Sequence, residues 1–409
     1  MIGLEVSIDY VSCQDSLVGA DGLSEAELRA HVAGSPAGRP LGIYVHVPYC
    51  ASRCGYCDFN TYTAAELGPG VRQDTFVGDV LAELLMAREL LGRRTVGSVF
   101  FGGGTPTLLP AADLVAVVAA IREHFDLAVD AEITTEANPD SVDPRYFDAL
   151  LAGGFTRVSL GMQSASTQVL RTLERTHTSG RAVAAAREAH AAGFRHVSLD
   201  LIYGTPGESQ SDWRASLDAA VDAPVDHISA YALTLEPGTS MGAAVRRGAL
   251  AGPDPDVAAE RYETADEVLL AHGFAWYEIS NWARPGGECA HNLAYWRSAD
   301  WWGLGPGAHS HVSGARWWNV KHPRAYQTQV GAGLLPLADG EVLSAHEQHT
   351  ETLMLELRLR SGMAVEVLSP DVLSELLDDG LLQTAGTGHV RLTRRGRLLA
   401  DIIVTRLLV

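Results

Sequence analysis

Positive charge is scarce in this sequence of 409 residues. It contains 31 Lys and Arg residues against 50 Asp and Glu residues, so its net charge at pH 7 is −19. Lys321 is its only lysine, and the remaining basic residues are arginines. Because clusters of Lys and Arg drive binding to phosphate backbones, this composition argues against a nucleic-acid partner.

Long apolar runs are also missing. The sequence has no stretch of roughly eighteen or more uncharged apolar residues, the length that a membrane-spanning helix needs. Residues 1–13 do not combine a basic region with an apolar core, so we expect no secretory signal and a cytoplasmic protein. In that compartment the five cysteines are expected to be ligands or free thiols rather than disulfides.

Six short β-rich runs alternate with helical patterns between residues 39 and 240. The runs lie at 42–47, 97–101, 131–136, 156–161, 195–202 and 226–233. Repeated strand–helix alternation predicts parallel strands joined by right-handed crossovers. The sequence therefore predicts an α/β fold built on a partial (β/α)6 TIM-like barrel.

Chemically distinctive residues recur where these runs end. They stand at or just after the C-terminal end of each run: Cys50–Cys57, Gly102–Thr105, Glu136, Gln163, Asp200 and Tyr231. In a parallel barrel the C-terminal ends of the strands meet at one face, and that face carries the active site. We therefore expect a functional site at this face of the barrel.

The rest of the chain divides into three further segments. Residues 1–38 are predicted to be a weakly ordered N-terminal extension with one short helix, and Cys13 within it a free thiol. Residues 241–344 are predicted to form a smaller α+β region that is rich in Trp, His and Gly. Residues 345–409 have the helix–helix–hairpin order of a winged-helix-like domain, but its acidic segment 369–380 favours packing or a partner role over DNA binding.

The most specific motif is a loop with three cysteines. Cys50, Cys54 and Cys57 form a C-x3-C-x2-C pattern directly after the first predicted strand. Three thiolates this close can hold three irons of a cubane iron–sulfur cluster, which leaves the fourth iron open to a substrate. A zinc site would need His46 as the fourth ligand, but His46 lies inside a strand between two valines. We therefore favour the cluster over zinc.

This loop, followed by the Gly-rich FFGGGTPT at residues 100–107, resembles the radical S-adenosylmethionine (radical SAM) superfamily. The resemblance implies a [4Fe–4S] cluster whose open iron binds the amino and carboxylate groups of SAM. More narrowly, YVHVPYC, FFGGGTPT, TTEANPD, SLGMQS, LDLIYGTPGES and AYALTLEPGT resemble the oxygen-independent coproporphyrinogen III oxidase family over most of residues 41–345.

The resemblance also implies which residues contact SAM. They are Tyr44, Tyr56, Gly103, Gly104, Thr105, Glu136, Gln163, Arg175, Asp200 and Ala232. We expect the glycines to let backbone N–H groups approach the ligand. We expect Glu136 to pair with the SAM amino group, and Asp200 to pair with a ribose hydroxyl or with Arg175. From the residues alone, Tyr44 and Tyr56 could equally be core aromatics.

Two features separate the branches of this family. In the coproporphyrinogen dehydrogenase branch the cysteine loop resembles C-x3-C-x2-C-x-C, and here Phe59 stands at the last cysteine position. The segment HNLAYW, residues 291–296, resembles the H-N-x-x-Y-W motif of HemW-type haem chaperones, whose histidine is implicated in haem binding. The resemblance therefore implies haem as a further ligand, with His291 as the candidate axial ligand and His309 and His311 as further candidates.

The last cysteine, Cys289, has two interpretations. It lies two residues before His291 in the Gly-rich segment that precedes the HNLAYW motif. It could supply a fourth cluster ligand, or it could be a structural or haem-proximal cysteine.

These features together predict a radical SAM-fold haem chaperone. It would pass haem to acceptor proteins such as respiratory cytochromes and would need an electron donor; the resemblance leaves a homodimer open. One alternative is an oxygen-independent coproporphyrinogen III dehydrogenase or another radical SAM tetrapyrrole enzyme, and Phe59 argues against the former. Another is an iron–sulfur regulatory protein that acts through its C-terminal domain, against which the acidity of that domain counts.

Overall fold

The structure is a computed structural model of the chain and describes residues 22–36, 38–68 and 73–408. The strands in this part are β1 (Leu41–Val47), β2 (Thr95–Gly103), β3 (Asp126–Ala137), β4 (Arg157–Gln163), β5 (His196–Tyr203), β6 (His227–Ala232), β7 (Ala275–Glu278), β8 (Asn281–Ala283), β9 (Asp300–Leu304), β10 (His309–Val312), β11 (Ala315–Asn319), β12 (Leu337–Val342), β13 (Met363–Ala364), β14 (Leu382–Thr384) and β15 (His389–Leu392). The α-helices are α1 (Glu25–Ala33), α2 (Ala64–Leu67), α3 (Phe76–Leu91), α4 (Ala111–His124), α5 (Pro144–Ala152), α6 (Thr167–Thr172), α7 (Arg181–Ala192), α8 (Gln210–Val221), α9 (Ser240–Arg246), α10 (Pro255–Ala271), α11 (Ala290–Trp296), α12 (Pro323–Gly331), α13 (Ala345–Glu356), α14 (Pro370–Asp378), α15 (Arg394–Arg397) and α16 (Ala400–Leu408).

One large sheet dominates the structure. Its strand order is β12-β11-β10-β9-β1-β2-β3-β4-β5-β6-β8-β7. Strands β1 to β6 are parallel and lie side by side in chain order, as the sequence predicted for a partial (β/α)6 barrel. The α+β region predicted at 241–344 supplies β7 to β12, which extend this same sheet at both sides. The six parallel strands and the later region are therefore parts of one continuous sheet.

Alternate residues of the parallel strands face opposite sides of the sheet. In β1, Val45 and Val47 are fully buried in the main hydrophobic core. Tyr44 and His46, which alternate with these valines along β1, face the inside of the barrel. There the ring of Tyr44 stacks on that of Phe100 in β2, with ring centroids 6.3 Å apart. We call the C-terminal ends of β1 to β6 the mouth of the barrel and their N-terminal ends its base.

Both outer strands of the sheet are met by other parts of the chain. The N–H of Leu23 donates to the carbonyl of Gly340 in β12 (3.1 Å), and the N–H of Arg360 donates to the carbonyl of Tyr277 in β7 (2.9 Å). Helix α1 follows Leu23 and buries Leu28 completely. This part of the predicted N-terminal extension is therefore packed on the domain, whereas Cys13 lies outside the described residues.

The C-terminal segment forms a second, smaller core. Helices α13, α14 and α16 pack with a three-stranded sheet of order β13-β15-β14, in the helix–helix–hairpin order that the sequence predicted. Ile279 and Trp296 from the preceding region are buried in the same core, so α11 joins it to the barrel. None of the helices in the described ranges has the length and apolar character that crossing a membrane requires.

Candidate functional site at the barrel mouth

The three cysteines lie in the loop that leaves β1 at the mouth. Cys50, Cys54 and Cys57 are half-buried free thiols. The N–H of Cys50 donates to the carbonyl of Tyr62 (3.0 Å), and the N–H of Cys57 donates to that of Cys54 (3.2 Å), so backbone bonds fix the course of the loop. Burial raises the pKa of the Cys57 thiol to about 11.

The glycine-rich end of β2 packs directly against this loop. The N–H groups of Gly104 and Thr105 donate to the carbonyls of Val47 and Tyr49, both at 2.8 Å. A Cβ on Gly104 would lie 2.5 Å from the Tyr49 carbonyl oxygen, so no larger residue fits there. The sequence predicts that these N–H groups face a ligand, but they donate to carbonyls of the protein itself. A ligand at this loop would instead be contacted by carbonyl oxygens or side chains.

Arg175 reaches the cysteine loop from the segment after α6. Its guanidinium donates to the Cys54 sulfur (3.5 Å) and to the carbonyl of Gly161 in β4 (3.0 Å). Burial alone would lower the pKa of Arg175, but Tyr56, Cys54 and Asp200 nearby raise it above its ordinary value. The arginine predicted to be a SAM contact is therefore a half-buried positive charge beside a cysteine, not a solvated helix end.

Two carboxylates face each other inside the mouth. Glu136, at the end of β3, accepts the N–H of Gly103 (3.2 Å), and Asp200 of β5 accepts the hydroxyls of Ser159 (3.0 Å) and Ser229 (2.8 Å). Burial raises the pKa of Glu136 to about 8, and the charge of Asp200 adds to this shift. Burial raises the pKa of Asp200 as well, against the hydrogen bonds from the two serines.

This pair of carboxylates fits a cationic ligand. Two buried acids held close together disfavour each other's ionisation, and a positive group between them reverses that effect. SAM carries a sulfonium and an amino group, so Glu136 and Asp200 have the charge that its binding requires. The donor set of this mouth, three thiols beside two acids and an arginine, fits an iron–sulfur cluster with SAM.

The other predicted SAM residues surround the same space. Gln163 ends β4 with a φ of 60°, a left-handed conformation that is costly outside glycine and is typical of functional sites. Tyr44 lies close to Glu136, and Ala232 ends β6 opposite Tyr203 of β5. The structure thus brings the ten predicted SAM contacts to one end of the barrel.

The zinc alternative is not supported by the position of His46. Its Nδ1 bonds to the Tyr44 hydroxyl (3.0 Å) and its Nε2 to the carbonyl oxygen of Asn60 (2.9 Å), so both ring nitrogens are engaged. Within the described ranges, no three His, Cys, Asp or Glu side chains converge on a single-ion site. A cubane binds each of the three thiolates at a different iron, so it does not need them to meet at one point as a single zinc ion does.

Helix α11 with the HNLAYW motif lies at the base, away from the cysteines. The ring of His291 is almost fully buried; its Nδ1 bonds to the Ser98 hydroxyl (2.8 Å) and its Nε2 to the Tyr295 hydroxyl (2.9 Å). It stacks on Phe100 with centroids 5.2 Å apart, and burial lowers its pKa to about 4. His291 is therefore neutral but has both nitrogens occupied, so iron could bind it only by displacing Ser98 or Tyr295.

Cys289 also lies at the base. Its thiol donates to a carboxylate oxygen of Glu132 in β3 (3.2 Å), and the N–H of His291 donates to the same oxygen (3.1 Å). Base and mouth are separated by about five residues of β1, or about 17 Å. The interpretation of Cys289 as a fourth cluster ligand is therefore wrong, and its role is to hold the start of α11.

The other two histidine candidates differ in accessibility. His311 of β10 bonds through Nδ1 to the carbonyl oxygen of Ala299 (3.0 Å) and lies against Trp301. His309, at the start of the same strand, is half-buried, and its ring stacks on Trp318. Within the described residues, the ring nitrogens of His309 have no hydrogen-bond partner.

Comparisons with known proteins agree with this geometry. The family model described as the radical SAM superfamily matches residues 44–220. The haem chaperone HemW of Mycobacterium tuberculosis is 54% identical over 374 residues, which cover 91% of this chain and 95% of that protein. This chain belongs to the HemW family of the radical SAM superfamily. The haem chaperone HemW of Escherichia coli is 34% identical over 379 residues, 89% of this chain and 97% of that protein.

The fold of this HemW-family chain has a counterpart among solved structures. It is similar to the structure described as "Coproporphyrinogen III oxidase (HemN) from Escherichia coli is a Radical SAM enzyme", with a TM-score of 0.80 and 24% sequence identity. The match covers 94% of this chain and 93% of the other. At this identity the likeness shows a shared radical SAM fold.

Several residues at the mouth were not predicted from the sequence. Among them are Ser159 and Ser229, whose hydroxyls donate to the Asp200 carboxylate. The serines had one available signal, because each is a polar residue at an inward-facing position of an otherwise apolar strand. That both serines bond to Asp200 could be recognised only from the pairing of β5 with β4 and β6.

The raised pKa of Glu136 predicts that one variant, Glu136→Gln, will be more stable at high pH and will bind SAM more weakly. The folded-state pKa of about 8 lies above the ordinary value of 4.5, so this group's contribution to stability is present at low pH and is lost as the pH rises through 8. We expect Glu136→Gln to raise the free energy of unfolding at about pH 9 and to change it little at about pH 5. We expect the same variant to bind SAM more weakly.

Urea unfolding at both pH values and calorimetric SAM titration measure these effects. Glu123→Gln, at an exposed position of α4, is the matched control and should change neither quantity. A purely structural Glu136 would give altered stability with unchanged SAM affinity, and that result would contradict the assignment.

Proposed function

We propose that this HemW-family protein is a radical SAM-fold haem chaperone. The observation that carries the proposal is the 54% identity to a haem chaperone across 91% of the chain. The barrel mouth supports it, because it combines the three cysteines of a cluster site with buried acids suited to SAM. The proposed setting is the cytoplasm.

The proposed cofactors are one [4Fe–4S] cluster and SAM. Cys50, Cys54 and Cys57 would hold the cluster, which when bound supplies one electron to the sulfonium of SAM. Arg175 beside Cys54 offsets the negative charge of the thiolates. Glu136 and Asp200 orient the cationic ligand.

Haem is the proposed cargo. The proposed acceptors are proteins such as respiratory cytochromes, and an electron donor would reduce the cluster. The ligand suggested by the HNLAYW motif, His291, is held by two hydrogen bonds inside the base. Its use as an iron ligand therefore requires the hydroxyl of Ser98 or of Tyr295 to be displaced.

Haem titration and transfer test this function. We expect the protein with its cluster to bind ferric haem and to pass it to an apo-cytochrome, because a carrier must both hold and release its cargo. Absorbance and EPR of the bound haem, followed by the spectrum of the acceptor, measure the two steps. Absence of haem binding would refute the chaperone proposal.

The same preparation should not act as a coproporphyrinogen dehydrogenase. Phe59 stands in the cysteine loop where that branch has a further cysteine, and 54% of its surface is exposed. Conversion of coproporphyrinogen III to protoporphyrinogen IX under reducing conditions, followed by chromatography, would overturn the chaperone proposal in favour of the enzyme.

A further inference from the structure

Two segments of the extended sheet lie against the cysteine loop. Asn60 of that loop donates through its side-chain amide to the carbonyl of Lys321 (2.9 Å) and to that of Pro306 (3.0 Å). The N–H of Gly307 donates to the carbonyl of Val320 (3.0 Å), which holds the two segments together. The start of β10 is therefore anchored beside the mouth of the barrel.

Of the three histidines considered as haem ligands, His309 is the one whose ring nitrogens are free to bind a metal. Its half-buried ring has no hydrogen-bond partner within the described residues, in contrast to His291 and His311. Burial lowers the pKa of His309 to about 4, and the charge of Lys321 adds to the shift. The imidazole is therefore neutral at physiological pH, the state in which histidine binds haem iron.

An aromatic surface accompanies this imidazole. Trp318 lies opposite His309 in the β10–β11 pair, and the two rings stack with centroids 5.6 Å apart and an interplanar angle of 28°. Both side chains are half-buried on the same face of the sheet. Because the bond from an imidazole nitrogen to iron lies in the plane of the imidazole, an indole stacked on that ring presents its apolar edge to the macrocycle.

The one lysine of the chain completes the group. Lys321 is exposed, acts electrostatically on His309, and forms no ion pair with the described residues. Its ammonium group is suited to a carboxylate of the ligand.

We propose that haem binds here, with His309 as the axial ligand of its iron, Trp318 against the macrocycle and Lys321 paired with a propionate. This inference rests on the proposed haem chaperone function and names the site of its cargo. It places the haem on the mouth side of the barrel, beside the cysteine loop, and not at the base beside His291.

The iron ligand is tested by titrating ferric haem into the cluster-containing protein. We expect His309→Ala to weaken haem binding at least about tenfold. Removal of a residue that only hydrogen-bonds to a metal ligand already lowers metal affinity by that factor. We expect His309→Ala also to remove the EPR and resonance Raman signature of histidine ligation, and added imidazole to restore that signature. His291→Gln and the exposed control His190→Ala should retain it.

The propionate contact has its own test. Lys321→Gln should weaken binding of haem but not of haem dimethyl ester, whose carboxylates are blocked, and Lys321→Arg should restore it. A wild-type protein that binds no haem would refute the chaperone proposal itself. Haem that binds the wild type through histidine, and keeps that ligation in His309→Ala, would overturn this site while leaving the chaperone function intact.

Discussion

Cys54→Ala is expected to leave the protein without its cluster. Cys54 is the central cysteine of the loop and the partner of Arg175 (3.5 Å). Two remaining thiolates can hold only two of the irons of a cubane, and the half-buried arginine would lose its partner sulfur. After anaerobic reconstitution, iron and sulfide content and the EPR spectrum of the reduced protein should show almost complete loss of the cluster.

Cys289→Ala is the matched control for this experiment. Cys289 is also a cysteine and is more deeply buried, but its thiol donates to Glu132 at the base of the barrel. The control should keep its full iron content. An intact cluster in Cys54→Ala would contradict the three-cysteine assignment, and loss of iron in both variants would point to unfolding, which circular dichroism detects.

Arg157→Met is expected to cause the largest loss of stability at the base. Arg157 is 1% exposed; it donates to Glu132 (2.9 Å) and to the carbonyls of Gly287 and Glu288, both at 3.0 Å. Its removal leaves the Glu132 carboxylate buried without its counter-charge. Breaking a buried ion pair in this way costs about 3–5 kcal/mol in the free energy of unfolding, which urea denaturation measures.

A double variant separates the charge from the volume of the side chain. In Glu132→Gln with Arg157→Met, no uncompensated charge remains, so part of the lost stability should return. Arg145→Met, at an exposed position of α5, should change the free energy of unfolding by less than about 0.5 kcal/mol. Equal losses in the single and double variants would show that Arg157 acts through packing alone.

Local sequence patterns were sufficient to predict the strands of the barrel and the residues that lie at its mouth. The run 195–202 predicted β5 almost to the residue (His196–Tyr203), and Asp200 within it was expected at the site because strand ends converge. Such predictions need only the period of a strand and the direction of its neighbours. The cysteine spacing is equally local, which is why a cluster site at these three residues could be predicted before the fold was known.

The base of the barrel could not be predicted in this way. His291 bonds to Ser98, 193 residues earlier in the chain, and β9 pairs with β1 through contacts such as Trp301 with Gly42. The periodic pattern of hydrophobic residues within one strand or helix carries no information about contacts between residues so far apart in the sequence. The HNLAYW motif therefore suggested a ligand where the structure has a buried and fully bonded histidine.

The bonds that Leu23 and Arg360 make to the outer strands have a consequence for aggregation. An open sheet of twelve strands has two rows of unsatisfied backbone groups, and such rows template association with other chains. Here the segment before α1 shields β12 and the C-terminal domain shields β7. A shortened chain that lacks the segment before α1 and the C-terminal domain would therefore expose both rows of backbone groups. We expect such a truncated protein to self-associate and not merely to lose a domain.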